Sequence, residues 1–121
     1  MATTRAISRT ITAKTRQLQF VWRHKMMENN GQTTDGKNVE ILDAGLFNRQ
    51  GNAPDFFNAK LRINRTLWVG NVSVMENASD WYLYNMDKDK SYDNVILAMV
   101  GNADNDIRDS KDKATSIRLE A

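Results

Sequence analysis

The sequence predicts an α/β (α+β) fold, a small mixed sheet crossed by a long N-terminal helix, in a single domain of 121 residues. Three observations carry that expectation. Residues 1–27 place apolar side chains at helical spacing, with arginines on the other side. Residues 55–63 alternate in the period of a half-buried strand. Val95, Ile96, Leu97, Ala98, Met99 and Val100 form an unbroken apolar run, the mark of a strand covered on both faces.

The elements follow in order. In the first, Ile7, Ile11, Leu18, Trp22 and Met26 share one side of a helix. Arg5, Arg9, Arg16 and Arg23 form a stripe opposite them. Residues 29–38 are polar with two glycines and read as a loop. Val39 to Leu42 is a short strand, and 43–53 a second loop. Pro54, the only proline, opens the next strand at a position where a missing donor is tolerated. In that strand Phe57, Ala59, Leu61 and Ile63 point to the core, and Phe56, Asn58, Lys60 and Arg62 point away. Asn64 and Arg65 turn the chain into a returning strand, Thr66 to Met75. Ser79 to Tyr84 begins a short helix with Ser79 as cap. A charged loop, 87–91, precedes the buried strand Asp93 to Val100. An acidic loop, 102–112, leads to an edge strand at Thr115 to Leu119. The sheet core therefore runs over 39–119. Trp22, Trp68 and Trp81 are expected as core anchors, because an indole buries roughly 150–250 Å².

Composition narrows the function. With no cysteine, disulfides, zinc–thiolate sites and cysteine nucleophiles are excluded. No apolar run approaches the ~18 residues of a membrane span, and the N-terminus lacks a secretory apolar region, so a cytoplasmic, non-membrane protein is expected. Charge is unevenly placed. The first 27 residues hold six basic residues and no acid, whereas the remaining 94 hold 11 basic and 15 acidic residues. The basic segment can be a docked helix with a solvated face, a phosphate-facing stripe for DNA or RNA, or an acid-poor targeting peptide. His24 reads as a surface or interface side chain. The acids at 87, 89 and 93, and at 104, 106, 109 and 112, lack the glycine and terminal glutamate of a calcium loop.

Pro54-Asp55 at the head of one strand, with a second strand about 18 residues on, has the spacing of a restriction-endonuclease-like nuclease core. There an aspartate and an acid from the neighbouring strand hold Mg²⁺ beside the scissile phosphate. The wider pattern is more specific. Thr33-Thr34-Asp35-Gly36, Val39-Glu40-Ile41, Pro54-Asp55-Phe56-Phe57-Asn58-Ala59-Lys60, Thr66-Leu67-Trp68-Val69-Gly70-Asn71-Val72, Ser79-Asp80-Trp81-Tyr82 and Tyr92-Asp93-Asn94-Val95-Ile96-Leu97 occur in this order. Together they resemble the N-terminal part of a bacterial family of unknown function with a PD-(D/E)xK-type core pattern, from about Gln17 to Val100. The resemblance implies a nuclease-like fold and a metal ligand at Asp55.

The departures from the family pattern fall where chemistry would reside. Where the family reads Gly-Asn-Val-Glu-Ile-His, this chain has Ser73 in place of the acid and Met75 in place of the histidine. Ala98 replaces a further histidine, and Leu83, Tyr84, Asn85 and Met86 occupy a stretch that is histidine-bearing in the family. Ala53 stands before Pro54 in place of glycine. Serine offers no anionic oxygen, and methionine moves no proton at neutral pH. The leading expectation is a non-catalytic nuclease-like domain that binds nucleic acid through Arg5, Arg9, Arg16 and Arg23. Two others stand beside it. One is a metal-dependent nuclease using Asp55, Glu40 and Glu76 with Mg²⁺. The other is a structural module that docks another protein chain through the helix. A regular hairpin would put Asp55 and Ser73 on opposite faces, so a common face requires a bulge near Gly70.

Overall fold

The computed structural model describes residues 11–24, 32–34, 36–49, 53–107 and 117–118. Helix α1 (Ala13–Arg23) leads into strands β1 (Val39–Asp43), β2 (Leu46–Phe47), β3 (Phe56–Ile63) and β4 (Thr66–Asn77). Helix α2 (Asp80–Leu83) and two short 3₁₀ turns cross over to β5 (Val95–Asn102), and β6 (Ile117–Arg118) closes the order. The sheet runs β1-β3-β4-β5-β6, with β2 pairing β3 beyond the end of β1. β3 is antiparallel to β1, β2 and β4, whereas β5 is parallel to β4 and β6 to β5. The mixed sheet and its α+β class therefore follow the sequence pattern. No helix among the described residues is long and apolar enough to cross a membrane.

The long helix of 1–27 is corrected to 11 residues. Thr12 is extended at φ −78°, ψ 165°, and its hydroxyl accepts the Thr15 amide at 3.1 Å, which is an N-cap. Helical geometry therefore starts after Thr12, and Ile11 lies outside the helix. His24 closes it. Arg5, Ile7, Arg9 and Met26 lie outside the described residues. The buried stripe is Thr15, Leu18, Gln19 and Trp22, a single face at i, i+3, i+4 and i+7. It is half polar.

The sheet separates two cores. Toward α1 lie Leu18, Trp22, Val39, Ile41, Phe56, Ala59, Leu61, Val72, Val74, Leu97 and Met99. Toward α2 lie Met75, Ala78, Trp81, Met86, Tyr92, Val95, Ala98, Val100 and Ile107. Trp22 and Trp81 anchor one core each, as expected, but Trp68 is 41% exposed near the hairpin end and anchors neither. The apolar face of α1 is covered by the chain's own sheet.

The predicted bulge exists, opposite the expected strand position. Ala59 pairs with Gly70, but Phe56 pairs with Val72, so β3 carries one residue more than β4 in that interval. Asn58 absorbs the extra residue at φ 57°, and its amide donates to the Asn71 side chain at 3.2 Å. The slip reverses the facing of the first residues of β3. Phe56, expected outside, is fully buried, and Phe57 is only half-buried.

Ser79 also departs from expectation. It sits before α2 with helical angles and gives no side-chain cap. Instead its amide and hydroxyl donate to Asp104 at 2.9 and 2.7 Å, tying α2 to the chain after β5. The Ser79 hydroxyl first, and its amide second, hold the Asp104 carboxyl below the usual carboxylate range. The tie therefore stabilises the fold fully above the unfolded carboxylate range and loses that effect as pH falls through the folded value. Chemical denaturation of wild type and Asp104→Asn across pH 3 to 7 is expected to show a stability gap that narrows with acidity. A gap independent of pH would contradict this assignment.

Candidate functional site

Asp55 is 1% exposed, at the entrance of β3. A carboxylate in such a position must be given donors or be neutralised. Its Oδ1 accepts the backbone N–H of Val74 at 2.8 Å, and its Oδ2 accepts Nε2 of Gln19 at 2.6 Å. The first bond extends the β3–β4 ladder beyond the last paired backbone groups. The second crosses to α1, where Gln19 itself is 8% exposed. The sequence-predicted metal ligand thus joins helix to sheet.

The other expected ligands do not converge on it. Glu40 pairs in register with Arg62 across β1 and β3, with its Oε1 2.9 Å from the guanidinium. Arg62 lies seven residues along the strand from Asp55, roughly 20 Å at the usual rise per residue. Glu76 is on the α1 face with Val72 and Val74, and it accepts the Thr12 hydroxyl at 2.9 Å. Continuing the register from Phe56–Val72 brings Asp55 level with Ser73. Their polar atoms nevertheless diverge. The carboxylate turns to α1, while Ser73 alternates with Val72 and Val74 and faces the second core. Ser73 is fully buried, and its Oγ has no hydrogen-bond partner. Met75 and Ala98 are packed in that second core. Among the described residues no three His, Asp or Glu side chains gather where they could hold a metal. Asp55, with its two oxygens taken by an amide and a carboxamide, and an unpartnered serine do not fit a divalent ion.

A second feature adjoins Asp55. A cleft of about 410 Å³ lies between α1 and the β2 region, lined by Ile11, Arg16, Gln19, Phe20, Arg23, Phe47, Asn48 and Arg49. Arg16, Phe20 and Arg23 occupy one exposed helical face, and Gln19 of the buried stripe borders it. Phe20 is 55% exposed, and its ring lies 4.3 Å from the imidazole of His24. The Arg23 guanidinium sits 5.4 Å from the centre of the Phe47 ring, a cation–π distance. Arg16, Arg23 and Arg49 are exposed, and none is ion-paired to a carboxylate among the described residues. Their charge is thus offered to whatever enters.

The cleft is tied to Asp55 from both walls. Gln19 lines it and holds the carboxylate. On the opposite wall the Asn48 amide donates to the Asp55 carbonyl at 2.7 Å, and Asn48 Nδ2 to the Pro54 carbonyl at 3.2 Å. Trp22 Nε1 donates to the Ala44 carbonyl at 3.1 Å, fixing α1 above the β1–β2 corner. That corner needs Gly45, at φ 92°, where a Cβ would stand 2.6 Å from the Phe57 carbonyl oxygen. Arg16 and Arg23 of the predicted arginine stripe thus enter one site. Nothing in the sequence marks Arg49, Phe20 or Phe47 for binding; 43–53 has the composition of a loop, and only the antiparallel pairing of Leu46–Phe47 with β3 brings Arg49 to the helix.

Removing the Gln19 carboxamide while retaining bulk, as in Gln19→Leu, leaves the buried carboxylate short of a donor. Denaturant unfolding is expected to register a loss of about 2–3 kcal/mol. Ser73→Ala, which deletes an unpartnered buried hydroxyl, is expected to be neutral or stabilising by up to about 1 kcal/mol. A clear destabilisation by Ser73→Ala would show that the hydroxyl has a partner.

A family model described as "Protein of unknown function (DUF2851)" matches residues 16–120. No curated protein and no solved structure matches the chain.

Proposed function

The chain belongs to this family of unknown function, and we propose that it is a non-catalytic, restriction-endonuclease-like domain that binds nucleic acid in the cleft between α1 and β2. The observation that carries the reading is the convergence of Arg16, Arg23 and Arg49 on one concave surface without carboxylate partners among the described residues. Guanidinium groups so placed can take phosphate oxygens in bidentate fashion and release the counterions condensed on a polyanion. Steering by such a patch acts before contact, because clefts focus the field.

The nuclease-like part of the proposal draws support from element order. A helix, an antiparallel meander, a crossover helix and a strand parallel to the last of the meander suit the core that the sequence pattern implies. Loss of catalysis draws support from the donor set. Asp55 is occupied by Gln19 and Val74, Glu40 is paired with Arg62, and Ser73 brings no charge. Cleavage assisted by Mg²⁺ would require several hard anionic oxygens at one point.

Binding of labelled DNA and RNA, followed by fluorescence anisotropy over a salt series, tests the reading. Affinity should fall steeply with salt, and Arg16→Ala, Arg23→Ala and Arg49→Ala should each weaken binding and lower the salt slope by about one phosphate contact. Absence of binding at low salt, or a slope unchanged in all three variants, would refute it.

A further inference from the structure

We infer that the cleft is a seat for one unstacked nucleotide, so that single-stranded nucleic acid is its preferred ligand; the inference rests on the nucleic-acid reading above and narrows it. The cleft combines two chemistries at the scale of a nucleotide. Its volume, about 410 Å³, lies in the lower part of the range for small-molecule sites. Arg16 and Arg49 supply charge, and Phe20 supplies an aromatic ring that is 55% exposed. A large ring left half in water on the lining of a basic cleft is a platform for a π-face. Arg23, held over Phe47, adds a planar cation of the kind on which bases also stack.

Geometry then separates single strands from duplexes. Inside a duplex each base face is covered by its neighbours, and a protein meets only base edges and phosphates. The face of Phe20 can be met only by a base that has left the stack. Base–aromatic stacking tolerates any base, so the seat reads strandedness and not sequence. The same helical face that carries Phe20 carries Arg16 and Arg23 one turn to either side, so a phosphate on each flank of a seated base would meet a guanidinium.

The test compares a short labelled oligothymidylate with a mixed-sequence duplex of equal length at fixed salt. The single strand should bind at least about tenfold more tightly. Phe20→Ala should weaken single-strand binding about tenfold, within the range that alanine substitution of stacking aromatics produces, and leave duplex binding little changed. Phe20→Trp should retain or improve it. Leu83→Ala, a comparably exposed apolar truncation on α2, should leave it unchanged and controls for stability. Equal affinity for both forms, or Phe20→Ala indistinguishable from Leu83→Ala, would overturn the nucleotide seat while leaving nucleic-acid binding in place. Failure of both forms to bind at low salt would overturn the broader proposal as well.

Discussion

The carboxylate of Asp55 is the point at which helix, sheet and cleft meet. An ion this deeply buried is costly to dehydrate, and only donors in good geometry offset that cost. The Val74 amide and the Gln19 carboxamide are two such donors. Each bond constrains a different layer. The Val74 bond sits where β3 begins while its partner strand continues, so β4 extends past it to reach α2. The Gln19 bond fixes the rotation of α1, so Leu18 and Trp22 enter the core while Arg16, Phe20 and Arg23 face the cleft. Removing either donor takes one hydrogen bond from a carboxylate that is 1% exposed.

The bulge at Asn58 is the backbone condition for this arrangement. Without the extra residue, Phe56 would face away from α1, and the core around Trp22 would lose an aromatic neighbour 6.5 Å from its own ring. With it, Phe56 fills the space between Trp22 and Phe47, and the Phe47 ring lines the cleft. Gly70 sits across from the bulge and has no room for a side chain, since a Cβ there would stand 2.5 Å from Ile96. The two residues on which the strand pairing turns are thus an asparagine with positive φ and a glycine at a close approach.

Much of this was legible in the sequence where periodicity speaks for one element at a time. The unbroken run from Val95 to Val100 marks a strand covered on both faces, the two-residue period marks β3, and β4 follows as the strand returning from the turn at Asn64 and Arg65. The facing of Phe56 and Phe57 was not legible, because an alternation pattern cannot reveal where an extra residue is inserted; Asn58 carries the positive φ without the glycine that would advertise it. Ile7 and Ile11 continue the apolar spacing and suggest a longer α1, but Thr12 is the N-cap at which the helix begins. The size of Trp68 suggests an anchor, but only its place at the hairpin end shows how much of it stays in water. At the site, Pro54 and a second strand about 18 residues on mark Asp55, and helical spacing marks Arg16 and Arg23. Gln19 did not, since a glutamine within a helix gives no sign that it will donate to a carboxylate 36 residues away.

The claim that Asp55 serves as a structural tie and not as a metal ligand is open to one direct measurement, thermal unfolding of the wild-type chain over a concentration series of Mn²⁺ or Mg²⁺. Binding to the folded state would raise Tm progressively with metal concentration. A tie made of protein donors predicts no such rise. A concentration-dependent rise in Tm that disappears in Asp55→Asn would contradict the account and restore Asp55 to the role of ligand.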